Sequence, residues 1–313
     1  MNRNVKLFII NNKNLYGGIG IVLVLLYHLL CLDESVSFYW LFYPGFIGVD
    51  LFMFYSGYSL CFSYNKNSLI DFYKRRIKRV GPIFLLLAIT KTFLYILRGN
   101  DVSLFDWLCN ISTLSYYGIG GQFIDWYLCA LFLYYLLFPG IMYITKCIKL
   151  GGAFLLSIIL VVTLSIYNID WTYGAAIARL PMFMLGIVFF QNKELIKFES
   201  FLWFVIPMFL SIALYLYHTN IGGYTIMDMC TPLLMYVIAL IFGNIKPKLC
   251  SWIQYIGMHS LEIYVGNVIV MAIIAFWIKG SMHIFLWYWV LNLAISFVLI
   301  QISNKKIGVN ANS

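Results

Sequence analysis

The chain has 313 residues, of which 63% are hydrophobic and only 11% are charged. A soluble domain carries about 25% charged residues, so this composition excludes an ordinary water-soluble protein and indicates one embedded in a bilayer. The net charge of +9 does not require a nucleic-acid partner, because basic residues collect in the cytoplasmic loops of membrane proteins. We therefore expect membrane lipids, and no nucleic acid, as partners; the oligomeric state is left open.

Apolar stretches in chain order predict about ten membrane-spanning helices, since a helix needs about 20 apolar residues to cross a bilayer. The predicted spans are 17–35, 44–62, 81–97, 124–145, 152–168, 174–191, 201–217, 224–243, 259–278 and 284–303. Asp106 and Asn110 break the mildly apolar segment 104–118, which favours an extracellular or re-entrant loop over an eleventh span. The fold class predicted is an all-α integral membrane protein, with one polytopic domain over 1–313 and no soluble extra domain.

The distribution of basic residues sets the orientation of the predicted spans. If the N-terminus lies in the cytoplasm, 17 of the 21 basic residues fall in inner segments, as the positive-inside rule expects. A wrong number of spans would scramble this alternation. The sequence therefore predicts that the N- and C-termini are both cytoplasmic.

The first predicted span contains one histidine, His28, in an otherwise apolar run. An ionisable side chain within a span marks a functional site by default; the alternative is a hydrogen-bonded structural histidine. At 1.5 Å per residue from Gly17, His28 lies roughly 16 Å along the helix, near the midplane. Asp50, near the outer end of the second span, is expected at similar depth. A carboxylate beside the imidazole would hold one tautomer of the ring and favour its uptake of a proton, so that the pair could act as a general base. The alternative is that Asp50 only anchors the end of its helix.

A basic segment from Lys66 to Pro82 follows the second span. Its apolar residues recur at helical spacing with basic residues between them, which predicts a cytoplasmic amphipathic helix between spans two and three. Arg75, Arg76 and Arg79 share a face of this helix. A group of guanidinium side chains suits phosphates, such as those of coenzyme A. The alternative is binding of anionic lipid headgroups combined with topology signalling.

Further polar residues within or beside the spans are candidates for contact with the substrate. Ser56 interrupts the second span, and Arg179 opens the sixth. Asp125, Trp126 and Tyr127 are predicted on the outer side, where acids and aromatic rings suit a hydroxylated substrate. The alternative for Asp125 is that it lies at a solvated loop end and does not contact substrate.

The seven cysteines are scattered, and the sequence lacks metal-ligand spacings, phosphate-binding loops and nucleophile motifs. We therefore expect no metal site. The three glycines within 17–20 form a small-residue patch typical of a helix-packing face. Lys91, inside the third span, is expected to pair with an acid such as Asp50 or Asp228, or to extend towards the membrane surface.

Several runs of residues resemble the membrane-bound acyltransferase-3 family, in the family's order and over nearly the whole chain. They are Leu25-Leu26-Tyr27-His28, Gly45 to Tyr58, Phe72 to Pro82, Trp126-Tyr127-Leu128 with Tyr134, Tyr135 and Pro139, Arg179 to Gly186, and Tyr255 to Tyr264. The resemblance implies a short, stand-alone O-acyltransferase with ten helices in a bacterial-type plasma (inner) membrane. Such an enzyme moves an acyl group, usually acetyl, from cytoplasmic acyl-CoA to a hydroxyl of a cell-surface or lipid-linked glycan.

By this resemblance, the family's essential histidine corresponds to His28, and its basic cytoplasmic motif corresponds to Arg75 and Arg76, with a part in binding the acyl donor. The family commonly carries an arginine eleven residues before the histidine, where this chain has Gly17. Lys13, one turn nearer the cytoplasm, is the candidate replacement.

Two further departures concern later motifs. The family's acid in the fourth span is not evident, and its late motif often ends in histidine, where this chain has Gly266-Asn267. A catalytically inactive family member is therefore one alternative. A transporter or flippase of lipid-linked glycans is another, because ten spans, buried charges and glycine-interrupted helices suit that class equally.

Overall fold

The computed structural model describes residues 2–32, 42–122, 124–148, 171–191, 223–243, 250–278 and 283–311, together with residues 152, 156, 157 and 159. Within these ranges the chain forms helices and turns and no strand. The predicted span 201–217 lies outside the described residues, as does nearly all of 152–168.

The described residues contain twelve α-helices. They are α1 (Asn2–Asn11), α2 (Lys13–Leu32), α3 (Gly48–Lys66), α4 (Leu69–Leu97), α5 (Leu104–Ile111), α6 (Trp126–Cys147), α7 (Trp171–Ala178), α8 (Leu180–Gln191), α9 (Gly223–Phe242), α10 (Ser251–Met258), α11 (Ser260–Ile273) and α12 (Ile284–Ala311). Short 3-10 turns cover Tyr43–Ile47 and Leu114–Tyr117, and Ile274–Ile278 is a π-helical turn.

Seven helical segments among the described residues are long and apolar enough to cross a membrane. They are Lys13–Leu32, Tyr43–Lys66, Leu69–Leu97, Trp126–Cys147, Tyr173–Gln191, Ser260–Ile278 and Ile284–Asn304. Each overlaps a predicted span, and Leu69–Leu97 begins twelve residues before the predicted span 81–97. For the predicted span 224–243 the structure has helix α9, whose part Thr231–Phe242 is a shorter apolar helix. The chain is thus a helical, multi-pass membrane protein.

Helix α4 joins the basic segment and the third predicted span in one uninterrupted helix of 29 residues that contains Pro82. The sequence had indicated two elements, a surface helix and a span. A proline is tolerated inside membrane helices, because neighbouring groups compensate for its missing N–H. At 1.5 Å per residue the helix is about 44 Å long, whereas the hydrocarbon core is about 30 Å thick. The surplus length is sufficient to keep the basic end out of the hydrocarbon.

The segment 104–118 contains the eight-residue helix α5 and a 3-10 turn, both too short to cross a bilayer. Ser103 and Asp106 form a capping box: the amide of Asp106 donates to Ser103 Oγ at 3.1 Å, and the amide of Ser103 donates to the Asp106 carboxylate at 2.9 Å. Hydrogen bonds from the Ser103 hydroxyl and from the Gly121 and Ser103 amides lower the pKa of Asp106. The capping box explains why a short helix begins at Leu104. A short helix in this segment is compatible with the predicted loop.

The chain divides into two compact units. The first comprises Met1–Val24, Pro44–Leu69 and Leu136–Met258. Within it, α3 and α8 approach so closely that a Cβ at Gly186 would collide with the carbonyl oxygen of Phe54. A Cβ at Gly17 would lie 3.3 Å from the carbonyl oxygen of Gly257 on α10. The glycines of α2 therefore form the helix-packing face that the sequence predicted.

The second unit comprises Leu25–Tyr43, Ile70–Tyr135 and His259–Ser313. A buried apolar cluster joins the end of α2 to α11, the π-helical turn and α12. Its members are Leu29, Val270, Ile274, Ile284 and Tyr288. This cluster fixes the last two turns of α2, from Leu25 to Leu32, beside α11 and α12, and so determines what surrounds His28.

Candidate active site

His28 lies on α2 in the second unit, and its side chain is partly exposed. Its Nδ1 shares a hydrogen bond with the side-chain oxygen of Asn267 on α11. The ring centroids of Tyr27 and Tyr264 lie 6.0 Å and 6.4 Å from that of the imidazole. The candidate catalytic ring is therefore held by a polar partner and by aromatic neighbours.

Asn267 belongs to a buried polar cluster with Tyr288 and Asn292 of α12. Its Nδ2 donates to the hydroxyl of Tyr288 at 2.7 Å and to Oδ1 of Asn292 at 3.1 Å. The Tyr288 hydroxyl donates to the carbonyl of Leu25 at 2.6 Å, and Asn292 Nδ2 donates to the carbonyl of Tyr288 at 2.8 Å. Each of these amide and hydroxyl groups therefore has a defined partner.

The sequence did not reveal this cluster as a site. Asn267 stood out only as a departure from the family pattern, and no sequence pattern singled out Tyr288 or Asn292. The available signal was the presence of two amide side chains in apolar spans, because polar side chains within spans are costly and tend to be functional.

Asp125 anchors a second polar group in the same unit. It is buried, and it accepts hydrogen bonds from the amide of Leu128 at 2.7 Å and from the hydroxyl of Tyr264 at 2.8 Å. The first of these bonds caps the N-terminus of α6. Lys91 is also buried, donates to the carbonyl of Ile124 and interacts electrostatically with Asp125. The sequence did not indicate this partner for Lys91.

Trp126 and Tyr127, the other predicted substrate residues at this point, begin α6. Tyr127 is buried, with its ring centroid 4.9 Å from that of Tyr264, whereas Trp126 is partly exposed. Burial of Asp125 makes it a structural capping residue rather than a solvated loop end. The contact of these residues with a substrate stays a prediction.

Asp50 lies in the first turn of α3, in the first unit, and is fully buried. The hydroxyl of Thr231 on α9 donates to its Oδ2 at 2.9 Å, and Nε of Arg179 lies 3.7 Å from its Oδ1. Arg179 sits between α7 and α8, with its guanidinium carbon 5.7 Å from the ring of Phe46. The predicted role of Asp50 in orienting His28 stays a prediction, and the ring partner that the structure shows is Asn267. Ser56, on the same helix as Asp50, is partly exposed.

The three predicted donor-binding arginines lie in the first three turns of α4. Arg75 and Arg79 are exposed, and Arg76 is partly buried with its guanidinium carbon 6.0 Å from the ring centroid of Phe72. Among the described residues, buried Nε of Arg76 has no hydrogen-bond partner. Arg75 and Arg79 thus expose their side chains at the start of α4, and their contact with the acyl donor stays a prediction.

Gly17 occupies the position where the family commonly carries an arginine, and Lys13 is the candidate replacement for that arginine. Lys13 Nζ donates to Oγ of Ser59 at 3.3 Å, within the first unit. Gly17 is buried in the contact with α10, so a larger side chain requires the neighbouring backbone to give way. The close packing of these helices gives a physical reason for glycine at this position.

Apolar helices with buried ionisable groups define a multi-pass membrane protein, and the comparison with known families gives its class. The model of the acyltransferase-3 family, described as an acyltransferase domain, matches residues 18–304. The chain therefore belongs to the acyltransferase-3 family, which confirms the resemblance seen in the sequence. No curated protein and no solved structure matches it.

Proposed function

We propose that this protein is an O-acyltransferase that moves an acyl group, foremost acetyl, from cytoplasmic acyl-CoA to a hydroxyl of a cell-surface or lipid-linked glycan. The observation that carries this proposal is the family match over residues 18–304. The imidazole of His28, inside an apolar helix and held by Asn267, supports it. The membrane in question is the plasma (inner) membrane of a bacterial-type cell.

His28 serves as the general base in the proposed reaction. It takes the proton of the acceptor hydroxyl while that oxygen attacks the thioester carbonyl carbon. The carbon–sulfur bond then breaks, and the leaving coenzyme A thiolate takes the proton from the imidazolium. The balanced products are an O-acyl ester and coenzyme A, and the enzyme returns to its initial state.

The acyl donor binds at the basic end of α4. Arg75, Arg76 and Arg79 hold the phosphates of coenzyme A, because guanidinium groups form paired hydrogen bonds with phosphate oxygens, and Lys13 adds a further positive charge. The length of α4 lets these arginines lie outside the hydrocarbon, and the positive-inside distribution favours the cytoplasmic side. In the proposed topology the chain crosses the membrane ten times, and both termini lie in the cytoplasm.

The acceptor enters from the outer side in this proposal. The residues proposed for it are Ser56, Asp125, Trp126, Tyr127 and Arg179. Ser56 and Trp126 are the first of these to test for direct contact with a glycan, because their side chains are partly exposed. The others are buried and act through the shape of the site.

Transfer from radiolabelled acetyl-CoA by membranes that contain the protein tests the reaction. We expect label on glycan with the wild type, and a loss of about 100-fold or more with His28→Ala, because a general base contributes roughly that factor. The control is His283→Ala, a histidine at the start of α12 that is exposed and should leave transfer unchanged. Unlabelled glycan with the wild type would instead favour a transporter or an inactive family member.

The donor site has its own test. Arg75→Ala combined with Arg76→Ala should raise the KM for acyl-CoA about 100-fold or more with a smaller effect on kcat, since charged hydrogen bonds are worth about 1.5–3 kcal/mol each. Lys78→Ala, an exposed basic residue of the same helix, is the matched control. Equal effects of the two changes would indicate a general electrostatic attraction to lipid instead of a phosphate site.

A further inference from the structure

The hydrogen-bond directions around Asn267 are determined by its neighbours. A backbone carbonyl only accepts hydrogen bonds, so the single hydroxyl proton of Tyr288 must point to the carbonyl of Leu25, 2.6 Å away. The oxygen of Tyr288 is then left as an acceptor towards Asn267. In the same way, Asn292 directs its NH₂ group to the carbonyl of Tyr288, which leaves its side-chain oxygen as an acceptor towards Asn267.

Two acceptors on one side of Asn267 require its NH₂ group on that side. The distances of 2.7 Å to Tyr288 and 3.1 Å to Asn292 satisfy both of its protons. The oxygen of the Asn267 amide therefore faces His28, and an amide oxygen only accepts. Nδ1 of His28 must carry the proton in this hydrogen bond. A neutral imidazole has one N–H, so its Nε2 keeps a free lone pair.

We propose that Asn267, held by Tyr288 and Asn292, is a positioning residue that keeps neutral His28 in the Nδ1–H tautomer and presents Nε2 as the base. The catalytic consequence rests on the proposed function, in which this ring deprotonates an acceptor hydroxyl. The tautomer itself follows from the hydrogen-bond directions alone. Burial of all three supporting residues keeps water from competing for these bonds.

The tautomer is measurable without any assay of transfer. The chain has four histidines, so ¹⁵N NMR of histidine-labelled protein in detergent, with His28 assigned by its loss in His28→Ala, reads both ring nitrogens. Above its titration, His28 should show a protonated Nδ1 and an unprotonated Nε2. In Asn267→Leu this preference should fall to a mixture of tautomers. A wild-type ring protonated at Nε2 would overturn the inference, and this result does not depend on how a variant folds.

Kinetics test whether the tautomer matters for catalysis. Asn267→Leu should lower kcat about 10- to 100-fold, the usual loss when an orienting partner is removed, while the KM for acyl-CoA changes less than about twofold. Asn267→Asp keeps the acceptor but adds a negative charge beside the ring, which raises the imidazole pKa. The acid limb of its kcat/KM profile should therefore move up by about one pH unit or more.

The control for these variants is Asn110→Leu. Asn110 is equally buried and bonds to Thr92 at 2.9 Å and to Gln122 at 2.8 Å, so its loss is structural. It should leave the acid limb where the wild type has it. A profile of Asn267→Asp that coincides with the wild type, together with an unchanged kcat in Asn267→Leu, would refute the positioning role.

Failure of this inference and failure of the proposed function give different results. If His28→Ala retains transfer while NMR finds Nδ1–H, the base role fails and the tautomer assignment stands. If His28→Ala loses transfer while the Asn267 variants keep both tautomer and pH profile, only the positioning role fails.

Discussion

Asp50 and Arg179 form a buried ion pair whose two members stand 129 positions apart in the numbering of the chain. The sequence marked each residue separately, as a partner for His28 and as a substrate residue. Their pairing follows from the packing of α3 against α8, the helix that begins directly after Arg179. A buried charge without its partner is costly, so each residue stabilises the first unit by the presence of the other.

Removal of one partner should therefore cost more than removal of both. We expect Arg179→Met to lower the free energy of unfolding by about 3–5 kcal/mol, because it leaves a buried carboxylate uncompensated. Asp50→Asn combined with Arg179→Met should recover part of that loss. Thermal unfolding in detergent, analysed as a double-mutant cycle, measures the coupling. Additive effects of the two single changes would show that the pair is not coupled.

At the scale of elements, the contact between α3 and α8 depends on glycine. The mean hydropathy of a helix does not reveal such an approach, because it does not show which face carries the glycines. The sequence showed Ser56 as an interruption of the second span, and Gly57 follows it directly. In the structure, a Cβ at Gly57 would collide with the carbonyl oxygen of Phe183, as one at Gly186 would with that of Phe54. Small residues thus permit backbone contact between the two helices.

Gly186→Ala should separate the two helices and lower the free energy of unfolding by about 1–3 kcal/mol, the usual cost of overpacking. Gly140→Ala in α6 is the matched control, because nothing lies within 4 Å of a Cβ at that position. There the change should stabilise the helix by up to about 1 kcal/mol. Melting temperatures of the two variants in the same detergent give the comparison, and equal shifts would contradict the packing argument.

At the scale of the whole molecule, the orientation in the membrane decides whether the arginines of α4 face the compartment that holds acyl-CoA. The positive-inside distribution predicts that they do. The opposite end of α4 should then lie on the outer side, because α4 is longer than the hydrocarbon core is thick. The two ends of one helix therefore give a direct test of the orientation.

Lys74→Cys and Asn100→Cys place single reactive thiols near the two ends of α4, in a background without the native cysteines. Both positions are exposed. A membrane-impermeant maleimide should label the first only in inverted vesicles and the second only in intact cells. Labelling of both from the same side would overturn the predicted topology and the proposed donor site with it.

The sequence by itself determined that this is a helical membrane protein of the acyltransferase-3 family. It also located His28 as the side chain to explain. These conclusions depend on local features: runs of about 20 apolar residues form spans wherever they occur, and the family motifs are contiguous runs. For the same reason seven predicted spans coincide with apolar helices of the structure.

The pairing of side chains from distant parts of the sequence follows from how the helices pack. His28 and Asn267 are 239 residues apart, and Asp50 and Thr231 are 181 apart. Composition does not encode which helices are neighbours, since the bilayer gives little preference among apolar contacts. Close approach at glycines, and the need of each buried polar group for a partner, select the arrangement.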